Sequence, residues 1–168
     1  MNLTLLGTGN ATVTHCYNTC FVLHESGQYL LVDGGGGNGL LCQLEKAYLR
    51  WQDMRTVFVT HKHMDHLLGI LWLMRMMCQS WRRGTYEGEA VIYGHDEVIS
   101  LLRTMGKALL SSKDSAFLDD RLHLVTVTDG EMRQLMGHDV IFFRYPFDQG
   151  QTIRLFFRTR RRQTDLLW

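Results

Sequence analysis

A mixed α/β layered domain is the fold class this chain predicts, and three observations carry that expectation. Short apolar runs of strand length alternate with longer stretches of helical periodicity. Glycine, asparagine and aspartate punctuate the joins, with 16 glycines against a single proline. At 168 residues, 45% of them hydrophobic and 21% charged, the chain suits one globular domain with a sizeable core. No internal repeat and no dividing linker is visible.

In chain order, Leu3 to Leu6 predicts a first strand, stopped by Gly7-Thr8-Gly9. Cys20 to Leu23 and Tyr29 to Val32 predict a hairpin turning at Glu25-Ser26-Gly27. Asp33 then enters the glycine run Gly34 to Gly37, followed by Asn38-Gly39. Leu40, Leu41, Leu44, Ala47, Tyr48 and Trp51 recur at helical spacing. Thr56 to Val59 is a β-branched strand. Leu67 to Trp81 reads as a helix that is apolar nearly all round, and it must be covered on several sides, by its own domain or by a second copy in a homodimer. Its Met74, Met76 and Met77 suit a core or subunit interface before a substrate surface. Val91-Ile92-Tyr93 predicts a strand, and Val98, Ile99, Leu101, Leu102, Met105 and Leu109 a further helix. Strands are expected over Leu122 to Val127, Glu131 to Met136 and Val140 to Phe143, with turns at Asp129-Gly130 and Gly137-His138-Asp139.

Several function classes are disfavoured by composition. The first residues lack the basic region of a secretory signal, and the longest apolar run, Leu67 to Met77, is broken by Gly69 and Arg75 and is too short to cross a bilayer. Cys16, Cys20, Cys42 and Cys78 are scattered, as reduced cytoplasmic thiols are, so a cytoplasmic protein without membrane partners is expected. A net charge of +1 conceals a basic end: six arginines stand against Asp148 and Asp165 after residue 143. The body of the chain is therefore mildly acidic and does not suit the coating of nucleic acid.

The chemistry is concentrated in Thr60-His61-Lys62-His63-Met64-Asp65-His66, directly after the strand Thr56 to Val59. Three imidazoles and a carboxylate within six positions suit zinc, or a similar borderline divalent ion, better than calcium or magnesium. In an extended loop alternate side chains point opposite ways, so His61 and His63 can address one ion while Asp65 and His66 address a second. A water shared between such ions is activated for hydrolysis. The glycine run lacks the Lys-Ser/Thr of a phosphate loop and reads as a tight backbone turn. His15, His24, His95, His123 and His138 read as structural or solvated, with His138 the one late enough to check as a ligand.

These residues resemble the metallo-β-lactamase superfamily, whose signature HxHxDH the run reproduces. Leu6-Gly7-Thr8-Gly9, the strand ending at Asp33 in a glycine turn, and Val91-Ile92-Tyr93-Gly94 are similar to the ribonuclease Z branch, with agreeing order and spacing over about the first 143 residues. The resemblance implies an αββα sandwich with the site at one edge. It also implies two zinc ions held by His61, His63, Asp65 and His66, and a bridging hydroxide attacking phosphorus. Asp65 would be the catalytic residue that positions the attacking water, and Asp33 would support a metal-binding histidine by a hydrogen bond from behind. Asp33 also suits a turn-forming role. The implied substrate is a phosphodiester, either tRNA or a small cyclic ester; a thioester is a further alternative.

Superfamily members complete the site with a later His, an Asp and a final His, which cannot be placed in this sequence. The organisation expected is therefore residues 1–143 as the N-terminal part of the domain and 144–168 as an atypical basic tail. Reading one base later from Phe143, with permitted codons, yields a strand-like segment carrying His-Ser and an aromatic-Gly-aromatic pattern, so a frameshift accounts for the tail. On this reading the sandwich is incomplete at its C-terminal side, apolar surface is exposed, and hydrolase activity is impaired, with one ion or none bound. The rival reading is a non-catalytic remnant whose basic tail contacts nucleic acid.

Overall fold

Strand β1 (Asn2–Gly7) pairs antiparallel with β2 (Cys20–Glu25), and β2 with β3 (Gln28–Val32). The β2–β3 turn is made by Ser26 and Gly27, both at positive φ, the geometry that matches a hairpin's twist. From β3 the sheet becomes parallel through β4 (Thr56–Phe58), β5 (Ala90–Gly94) and β6 (Leu122–Thr126). Each parallel step needs a crossover, supplied by helices α1 (Gly39–Lys46), α2 (Met64–Arg82) and α3 (Asp96–Leu109), with a short α4 (Ser112–Ser115) before β6. A second, antiparallel sheet holds β7 (Met132–Leu135), β8 (His138–Arg144) and β9 (Ile153–Arg158). The computed structural model describes residues 1–144 and 152–158.

Alternation along the strands separates two cores. Val22, Leu31 and Val57 face the helices, where Leu67, Ile70, Leu73, Met74 and Met77 of α2 cover them. Their neighbours Phe21, Leu23, Leu30, Val32 and Phe58 face the opposite way, against Val140, Phe142, Ile153, Leu155 and Phe157 of the second sheet. Helices, first sheet and second sheet are thus three successive layers of an α/β architecture. The expected fold class holds in the described residues.

Several boundaries move. The hairpin β7–β8 turns at Met136 and Gly137, both at positive φ, so His138 and Asp139 lie in the strand and not in the turn. Strand structure also continues past residue 143. β8 runs to Arg144, and β9 pairs with it from Asp139↔Arg158 to Arg144↔Ile153. Ile153, Leu155 and Phe157 are buried, so their alternation, and not the arginine count, governs this part of the expected tail. The remainder, residues 145–151 and 159–168, lies outside the described residues. Helix α2 begins at Met64, three residues before the expected Leu67. Its apolar circumference is covered in part, where α1, α3, α4 and the first sheet pack on it, while Trp72 on the same helix is exposed. Among the described residues no helix is long and apolar enough to cross a membrane.

Candidate metal centre

The ends of two parallel strands create the site. Asp33 N–H bonds the carbonyl of Phe58 at 2.9 Å as β3 finishes, which sets the carboxylate beside the chain leaving β4. There Asp33 Oδ1 accepts the backbone N–H of Thr60, and Oδ2 accepts the Thr60 hydroxyl, both at 2.8 Å. Oδ2 also lies 2.8 Å from Nδ1 of His66. Asp33 is 4% exposed and sits at φ 58°, a left-handed conformation that aspartate tolerates better than most residues. Asp33 thus sits at the turn and in hydrogen-bond contact with the His66 ring.

Two imidazole tautomers follow from these partners. A carboxylate only accepts, so His66 Nδ1–H donates to Asp33. The one hydroxyl proton of Thr60 is given to Asp33, so His61 Nδ1–H donates to Thr60 Oγ1, at 2.8 Å. Both rings then turn Nε2 toward the site, as metal-binding histidines do when the other nitrogen is held from behind. The rings of His61 and His66 lie 4.0 Å apart between centroids, and those of His61 and His63 4.6 Å. Asp65 Oδ2 stands 3.3 Å from His66 Nε2.

Electrostatics separates the two inner histidines. Burial disfavours the charged form of His61 and, with the neighbouring His66, pushes its pKa down. Burial acts in the same sense on His66, but the hydrogen bond and charge of Asp33, with Asp65 beside them, outweigh it and raise the pKa.

Helix α2 corrects one expectation. Asp65 and His66 are not in an extended loop but in the first helical turn, with His63 as the N-cap residue. Alternation therefore does not set their directions. Position is instead set by a close junction with the glycine turn: Gly34 N–H bonds the His66 carbonyl at 2.8 Å, and Gly69 N–H bonds Gly35 at 2.9 Å. A Cβ on Gly69 would stand 1.8 Å from the Gly34 carbonyl oxygen, so only glycine lets the turn lie this close.

All five expected residues thus meet at one sheet edge. His61, His63, Asp65 and His66 are grouped there, and Asp33 lies behind them. Among the described residues, however, no three of these groups close around a common point. The donor chemistry fits a borderline divalent ion, and the arrangement is open. Thr60, Gly69 and Tyr17, whose hydroxyl reaches the glycine turn, were not singled out in the sequence. Only the threonine carried a local signal, its place at the strand end. The other histidines have structural partners: His95 caps α3, His123 meets Glu89 at 2.9 Å, and His138 meets Glu25 at 2.5 Å. His24 stacks on Tyr29, and His15 is exposed. All four cysteines are free thiols.

Beside the donors lies an open cleft of about 670 Å³, lined among others by Ala11, Asn18, Gly36, Lys62, His63 and Asp65. Lys62 is the single cation in that lining among the described residues, and its Nζ is 2.7 Å from Glu97 of α3.

The fold and this edge can be set beside known proteins. The ribonuclease Z of Nitrosopumilus maritimus is 27% identical over 156 residues, covering 89% of this chain and 50% of that protein. The metallo-β-lactamase fold protein YhfI of Bacillus subtilis superposes with a TM-score of 0.70 at 17% identity, over 93% of this chain and 58% of that one. The short form of human tRNase Z gives 0.67 at 21% identity, over 95% and 64%. The chain thus spans about half the length of the curated relative and carries the metallo-β-lactamase fold in a ribonuclease Z-like form. The model of one family, that of the Anti-Pycsar protein Apyc1, matches residues 1–162, past the boundary expected at 143. On that match over nearly its whole length, the chain belongs to the family of the Anti-Pycsar protein Apyc1.

Proposed function

We propose that this chain is a metal-dependent phosphodiesterase whose ion is held by His61, His63, Asp65 and His66. The observation that carries the reading is the grouping of these side chains at one sheet edge, with two imidazoles oriented from behind by Asp33 and Thr60. Such outer contacts fix tautomer and ring direction, and a merely solvated histidine has no need of them. Zinc or a similar ion bound there supplies Lewis acidity, lowering the pKa of a water and offsetting charge on the phosphodiester. Asp65 orients the attacking water and takes its proton, and Lys62 faces the anionic ester.

A small phosphodiester, cyclic esters included, is favoured over tRNA by the cleft itself. Its volume of about 670 Å³ suits a small molecule. A polynucleotide backbone calls for a basic track, whereas the lining offers one lysine already paired with Glu97. Because the donors are grouped but not closed, metal uptake is the primary readout and turnover is expected to be slow.

Metal analysis of the purified chain, beside hydrolysis of bis(p-nitrophenyl) phosphate and of a precursor tRNA, tests the reading. Zinc near about one equivalent, lost in Asp65→Ala, with chelator-sensitive cleavage of the small ester, is the expected result. Cleavage indifferent to chelator and to Asp65→Ala would overturn it.

A further inference from the structure

The four-glycine turn is clamped by one side chain from another part of the chain. Tyr17 shares its hydroxyl proton between the carbonyls of Gly37, at 2.7 Å, and Gly34, at 2.9 Å. The same oxygen accepts the N–H of Gly37 at 3.3 Å. Its ring lies flat enough against the turn that a Cβ on Gly35 would fall 2.3 Å from it, and one on Gly39 2.7 Å. Gly35 also holds φ 68°, so two separate requirements keep that position glycine. Burial drives the Tyr17 pKa up to about 12, which keeps the hydroxyl a donor throughout the physiological range.

The clamped turn is in turn bonded to the first turns of α2, through Gly34 to the His66 carbonyl and through Gly35 to Gly69. Asp33, the residue just before it, holds the His66 ring. Tyr17 therefore restrains, at one remove, both the backbone and the imidazole of a proposed ligand. It does so without being near the donors in sequence. We infer that Tyr17 is a positioning residue for the proposed metal site, setting His66 through the glycine turn that its hydroxyl holds. This rests on the metal-site reading above.

The test is Tyr17→Phe, which keeps the ring against Gly35 and Gly39 and removes only the hydroxyl. Residues that orient a ligand from behind change metal affinity by roughly ten- to a hundredfold, and Tyr17, one step further out, is expected to weaken Co(II) binding by roughly tenfold and alter its visible spectrum. In metal-free protein, the His66 ring nitrogen signals and the hydrogen exchange of the Gly34 amide should change as well. Circular dichroism and thermal melting monitor the fold. Wild-type Co(II) affinity together with unchanged His66 and Gly34 signals overturns the inference. So does loss of the fold in Tyr17→Phe, which would make the hydroxyl part of the fold and not of the site. If wild-type protein takes up no Co(II), the metal-site reading fails by itself. The His66 and Gly34 signals then decide Tyr17 alone: changed, they uphold its positioning role, and unchanged, they remove it.

Discussion

Along the candidate edge, Asp33, Thr60, His61 and His66 are buried or half-buried and joined by hydrogen bonds of 2.8 Å. At the same edge Lys62, His63 and Met64 are exposed. The His63 ring meets only the edge of His61, and among the described residues it takes no hydrogen bond. One half of the edge is therefore organised by folding itself. The other is exposed, and its contacts are the Lys62–Glu97 pair at 2.7 Å and the edge of the His63 ring on His61. Stability and metal affinity should accordingly respond together to changes in the inner half and come apart in the outer half.

The largest effect is expected from Asp33→Ala. It strands the Thr60 N–H and the His66 Nδ1–H in a buried place, at a cost of about 3 kcal/mol, since each orphaned donor is worth about 1–3 kcal/mol. Zinc affinity should drop with it, by roughly ten- to a hundredfold, because His66 loses its orientation. Urea unfolding and metal titration read the two quantities. An Asp33→Ala protein as stable as wild type would break the comparison at its stronger end.

His63→Ala should separate the quantities. Its exposed ring leaves no cavity and no unpaired partner, so stability should stay within about 0.5 kcal/mol. On the proposed function, which makes His63 one of few ligands, zinc affinity should nevertheless fall by more than roughly tenfold. A stability loss comparable to that of Asp33→Ala would mean that His63 belongs to the inner half.

The same division governs what could be read from the residues alone. The donors were legible because chemistry needs those residue types at short spacing, and Asp33 because a carboxylate at a strand end before glycines has few roles. Their directions were not. Met64 opens α2 without a Ser, Thr or Asp cap at position 63, so the usual start signal was absent and Asp65 and His66 read as loop. The role of Tyr17 depends on glycines 17 to 22 positions later, a contact that no local pattern announces. In Ile153–Arg158 the signal was present, as apolar Ile153, Leu155 and Phe157 alternating with other residues, but the arginines drew the reading toward a basic tail. Two-residue alternation was the better guide there, because a strand is held by the face it buries, here that of Ile153, Leu155 and Phe157.

The smallest effect, and the one that sharpens the account of the outer half, belongs to Lys62→Ala. Lys62 and Glu97 form an exposed pair at 2.7 Å, with side chains 51% and 39% accessible. Such pairs contribute about 0–1 kcal/mol and weaken with salt, so unfolding should change little and the difference should vanish at about 0.5 M salt. On the proposed function Lys62 meets the ester's charge in both ground and transition states. That is uniform binding, so KM for bis(p-nitrophenyl) phosphate should rise a few-fold while kcat stays constant. A fall in kcat at unchanged KM would instead mean that Lys62 engages charge developing only in the transition state. The exposed half of the edge would then act in the chemistry and not merely in capture.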